Sequence, residues 1–143
     1  MSGRLIGGAL LLILVTATAH AQSWYEPARG SKERRAIMDA MRPVIEAKLD
    51  SPIEFVVHDL RVLGTWAFAR VIPQRPGGGR IDLQRTMLRD FAEHLDGVRT
   101  EAILQRRNGR WYTVDHAIGA TDVWFLAWCD RLPRGLLSDY CGP

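Results

Sequence analysis

Residues 98–118 read VRTEAILQRR-NG-RWYTVDHAI, and the reading of this stretch decides the fold. Asn108-Gly109 stands between two alternating runs. Both residues tolerate the positive φ that a type I′ turn requires, so the segment predicts a β-hairpin. Ala102 and Leu104 share one face of its first strand; Tyr112, Val114, His116 and Ile118 share one face of its second.

Upstream, Ile53 to Leu63 and Trp66 to Ile72 form a second pair of β-rich runs joined by Gly64-Thr65. Ile53, Phe55 and Val57 alternate, then the phase changes near His58-Asp59 to Leu60 and Val62, which predicts a bulge. Pro73 to Arg80 carries three consecutive glycines. A phosphate-binding loop would need Lys-Ser/Thr after them, and Arg80-Ile81 stands there instead, so the stretch reads as an exposed loop. Thr86–Leu95 allows a short helix, with Met87, Leu88, Phe91 and Leu95 on one side, or a partly disordered segment.

Before the first strand, Ile37, Met41, Val44, Ile45 and Leu49 recur at helical spacing, with Ser31 as N-cap and Pro43 predicting a kink. Beyond the second hairpin, Thr121-Asp122 is expected to cap a short helix carrying Trp124, Phe125 and Trp128. Two hairpins and flanking helices predict an α+β domain. A long N-terminal helix packs on a four-stranded antiparallel sheet, followed by a short C-terminal helix and a disulfide-closed tail. Over residues 31–118 this order resembles the cystatin-like and NTF2-like group, in which a long helix lies across a curved antiparallel sheet. A shared fold would not fix a function.

The first 21 residues read as a secretory signal peptide. Arg4 supplies the positive start, Leu5 to Val15 is uncharged and apolar or glycine, and Ala19-His20-Ala21 offers small residues for cleavage. A membrane-crossing helix needs about 20 apolar residues, more than this run provides, so no stable anchor is expected after cleavage. Gln22 would then begin a domain with a lead-in at 22–30 and a single unit at 31–143. Seventeen arginines against two lysines point to a GC-rich bacterial genome, hence to the periplasm or the medium. In an oxidising compartment Cys129 and Cys141 are expected to pair.

With 19 basic and 16 acidic residues interspersed, the chain lacks the clustered basic face of a nucleic-acid binder. His58, His94 and His116 are too scattered for a metal site, no cofactor motif appears, and no serine stands in a nucleophile elbow. The one constellation with catalytic chemistry is His116 with Asp115 or Asp122, an imidazole and a carboxylate suited to proton transfer in a pocket under the N-terminal helix. Strand parity opposes it, because Asp115 and His116 point to opposite faces. Trp66, Trp111, Trp124 and Trp128 are candidates to line a concave face for an apolar or sugar-like ligand, and core packing explains them as well.

The leading expectation is an exported binding or accessory domain. It would recognise an envelope protein, a cell-wall component or a small ligand through its sheet face and the loop at 73–80. The alternative is a small hydrolase- or isomerase-like enzyme built on His116.

Overall fold

The computed structural model describes residues 23–142; the expected signal peptide lies outside them. Helix α1 (Lys32–Leu49) starts where Ser31 Oγ accepts the Arg34 N–H at 3.1 Å. Its buried stripe is Ile37, Met38, Met41, Ile45 and Leu49. The helix runs on through Pro43, which occupies an exposed position, so the carbonyl it leaves without a partner lies on the solvent side. Where α1 ends, the Arg75 guanidinium donates to the carbonyls of Leu49 and Asp50, each at 2.7 Å, which the helix itself cannot satisfy.

Strands β1 (Glu54–Leu63), β2 (Trp66–Gln74), β3 (Thr100–Arg107) and β4 (Arg110–Ile118) form one antiparallel sheet in sequential order. The β1–β2 register slips between Val57 and Asp59, leaving His58 as the bulged residue that the phase change predicts. At the β3–β4 turn Asn108 has φ 49° and Gly109 φ 75°, the positive pair expected there. A second slip, between Ile103 and Leu104 on β3 and Asp115 and Thr113 on β4, was not expected. It leaves Val114 unpaired and corrects the facing of β4. Thr113 and His116 look toward α1, whereas Tyr112, opposite Gln105, and Asp115, opposite Ile103, look away.

Both faces of the sheet are covered. Toward α1, Leu60, Val62, Ala67, Ala69, Val71, Ala102 and Leu104 meet the helix stripe. The alanines let the helix approach closely. On the other face, Leu63, Phe68 and Ile103 meet Phe125, Leu132, Leu136 and Leu137 from the C-terminal segment. That segment holds a 3-10 turn (Trp124–Trp128) and the single-turn helix α2 (Ser138–Cys141), and the Cys129–Cys141 disulfide closes it into a lasso. The whole is α+β, as expected, with one long helix on one face and the lasso on the other.

Two local expectations need correction. Asp122 caps no helix: the 3-10 turn follows Val123 and has no side-chain cap, and Asp122 is exposed. Its five residues are oriented by packing, with Phe125 buried and Leu126 exposed. The segment 86–95 is neither an α-helix nor disordered. Thr86 Oγ1 donates to the Leu83 carbonyl at 2.8 Å and accepts the Leu88 N–H at 3.2 Å, which ends one 3-10 turn (Leu83–Arg85) before another begins (Arg89–His94). At its far end the chain passes tightly over itself: Gly119 has φ +64°, and a Cβ there would lie 2.5 Å from the Gly97 carbonyl oxygen. Only glycine fits.

Candidate functional site

The three members of the expected proton-transfer constellation lie apart. His116 is half-buried on the α1 side of β4, opposite Ala102. Burial lowers its pKa from the ordinary histidine value; Lys48 adds to this and Asp115 opposes it. The Asp115 carboxylate is engaged on the other face, where Oδ2 accepts the Trp128 indole N–H at 2.8 Å and Oδ1 accepts the His116 backbone N–H at 2.9 Å. Among the described residues, the His116 ring makes no hydrogen bond to a carboxylate and lines none of the five principal grooves. Asp122 borders a groove of about 310 Å³ beside Arg70, Glu101 and Tyr140. His58 and His94 are exposed. Among the described residues no three His, Cys, Asp or Glu side chains gather to hold a metal ion.

The four candidate tryptophans are divided by the sheet. Trp111 is 8% exposed in the helix-side core, with the Arg106 guanidinium carbon 5.4 Å from its ring centre. Trp66, Trp124 and Trp128 belong to the lasso side. Trp124 and Trp128 do not act as a pair: a 3-10 turn does not align positions four apart as an α-helix does. The Trp124 indole N–H is directed at Glu101 Oε2, 3.4 Å away, and its ring meets Phe125 edge-on. Trp128 instead lies 6.1 Å from Trp66, with the Arg131 guanidinium 4.1 Å from its ring centre. The lasso thus packs on the sheet face that carries Trp66.

The lasso is also tied down by charges that the sequence reading passed over. Arg61, 8% exposed, donates to Asp139 at 2.6 and 2.8 Å and to Asp59 at 3.0 Å, and stacks on Trp24. The hydrogen bond to Asp139 is the chief reason its pKa is raised, against the opposing effect of burial. The same bond holds the Asp139 carboxyl below its ordinary value. Glu101, 3% exposed, accepts from Arg70 Nε at 3.2 Å and Arg99 Nε at 3.1 Å. A signal was present: Arg61 shares strand parity with Leu63, and Glu101 with Ile103, so each charge stands in an apolar register.

Among the described residues, two further grooves border the sheet, one at each end. One is a groove of about 340 Å³ bordered by Ile72, Gln74, Arg80, Ile81, Leu83 and Val98. The loop at 73–80 forms one wall and residues 81–83 and 97–98 line the rest; Met87 and Phe91, on the segment between these, are 67% and 60% exposed. The second is a shallow groove of about 510 Å³ at the turn end of β1–β2, bordered by Gly64, Thr65, Trp66, Arg131, Leu132 and Pro133. Among the described residues, no helix is long and apolar enough to cross a membrane. No family model, curated protein or solved structure matches the chain, and the likeness to the cystatin-like and NTF2-like group rests on element order alone.

Proposed function

We propose that the chain is an exported binding or accessory domain of the cell envelope. Its first partner surface is the groove beside the loop at 73–80. The observation that carries this reading is the pair of large apolar side chains, Met87 and Phe91, left in solvent on a segment whose Leu83 and Leu88 pack against the helix-side core. Leu83 also borders the groove, as does Ile72; Ile72 and its cross-strand partner Val56 are 37% and 41% exposed. A groove lined by Ile72, Ile81, Leu83 and Val98, with Gln74, Arg80 and Asp82 as polar groups beside them, suits a protein partner.

Export is supported by the apolar run after Arg4 and by the oxidised Cys129–Cys141 pair. The enzymatic alternative has less behind it, because among the described residues the His116 ring makes no hydrogen bond to a carboxylate and borders none of the grooves described above.

The reading is tested in the native host with a photoreactive side chain at position 91 and a control at the exposed Asp39 on α1. A discrete crosslink at 91, absent at 39 and lost in Met87→Ser, is the expected result. Equal labelling at both positions overturns the surface, and a cytoplasmic product that retains residues 1–21 overturns the export.

A further inference from the structure

At the opposite end of the sheet, Arg107 and Arg110 flank the β3–β4 turn as a directly opposed pair. Like charges in that arrangement repel and destabilise a hairpin. Neither side chain forms an ion pair among the described residues, and both are exposed; Arg107 donates only to Gln105 Oε1, at 2.8 Å. Arg131, on the lasso, borders the groove at the β1–β2 turn. It too lacks an ion pair among the described residues, and its neighbour Asp130 borders a different groove. Arg107 and Arg110 are therefore two unneutralised guanidiniums, paired on the strand face that also carries Gln105.

The same face carries aromatic side chains. Gln105 lies between Trp66 on β2 and Tyr112 on β4, and Trp66 contacts Trp128 beneath Arg131. Trp66 and Arg131 border the adjoining shallow groove of about 510 Å³, with Thr65 as a polar rim.

We propose that this end of the molecule binds an acidic saccharide, a sugar chain bearing carboxylates. The indole of Trp66 meets the C–H face of a sugar ring, Thr65 and Gln105 meet hydroxyls, and Arg107 and Arg110 pair with carboxylates. A guanidinium offers two parallel donors matched to a carboxylate, and binding removes the repulsion between the two arginines. A membrane surface suits the site less well, because the Trp66 indole is half-buried rather than protruding. A nucleic acid suits it less well because the remaining charge of the chain is nearly balanced, leaving no extended basic track. This site is distinct from the surface at Met87 and Phe91, so either can fail alone.

The test is titration of the purified protein with a polyuronate oligomer, followed by calorimetry and by indole N–H resonances. The expected result is saturable binding that shifts the Trp66 indole and leaves Trp111 unmoved, with a neutral glucan oligomer inert. Arg107→Gln and Arg110→Gln, both solvent-exposed and expected to fold, each weaken binding about tenfold. Absence of polyuronate binding overturns the proposal. So does unchanged affinity in both arginine variants, or equal affinity for polyglutamate or a short oligothymidylate, which would show attraction to any polyanion.

Discussion

The two faces of the sheet are covered by different kinds of chemistry. On one, α1 lays an aliphatic stripe over alanines and branched side chains, with scattered polar ties such as Thr113 Oγ1 to the Ala40 carbonyl. On the other, the lasso has little regular structure and is fastened by rings, buried charges and a covalent bond: Phe68 edge-on to Phe125 at 4.9 Å, Arg61 to Asp139, and Cys129 to Cys141. A long helix gains stability from many equivalent contacts along its length. A short irregular segment must gain it from a few particular ones, each directional or covalent.

The sharpest way to break this contrast is to remove one anchor from each face. Ile45→Ala should lower unfolding stability by about 2–5 kcal/mol and Phe68→Ala by about 3–5 kcal/mol, since both side chains are fully buried. Urea unfolding measures both. A loss below about 1 kcal/mol for Phe68→Ala would mean that the lasso is not part of the cooperative core. Next in size is the disulfide. Natively purified protein should contain no free thiol, and Cys129→Ser should lower stability by about 3 kcal/mol on the chain-entropy account of a loop this short. Hydrogen exchange should then quicken in residues 129–141 well before it does in α1. Uniform acceleration across both faces would erase the distinction.

The smallest effect concerns His116, under α1. The unfolded chain takes up this proton near pH 6.5, the folded protein only at lower pH. Between those two points the unfolded state binds more protons, so the contribution is fully present above about pH 6.5 and is lost as pH falls through the window. His116→Gln should flatten the corresponding part of a stability–pH profile. An unchanged profile in the variant, or a wild-type slope of opposite sign in that window, would show that burial does not govern this imidazole.

The helix face was legible in the sequence because its information is periodic. Ile37, Met41 and Ile45 recur at helical spacing, and Asn108-Gly109 fixes a turn type by backbone geometry alone. The bulge at His58 showed as a change of phase, and the cysteine pair as a count in an oxidising compartment. The lasso face was legible only in part. Trp124 and Trp128 look alike at four-residue spacing, and only tertiary packing makes their segment a 3-10 turn directing one indole to Glu101 and the other to Asp115. The second bulge, at Val114, reversed the facing of Tyr112 relative to His116 without any composition signal. The proton-transfer constellation was expected from residue types near one another in sequence, whereas strand parity sends Asp115 away from His116.

The bulge at His58 has a further consequence, for how copies of the protein behave toward one another. With the strand order β1-β2-β3-β4, β1 is an outer strand whose free backbone groups would accept a strand from a second molecule. The bulge interrupts the regular spacing of those groups midway along β1. Further on, Tyr25 of the lead-in closes the row by exchanging backbone hydrogen bonds with Val62 at 2.9 and 3.0 Å. A strand from outside would find a broken ladder at one point and an occupied one at the other. The same irregularity that re-aims a few side chains within the fold thus works against edge-to-edge aggregation in a crowded solution.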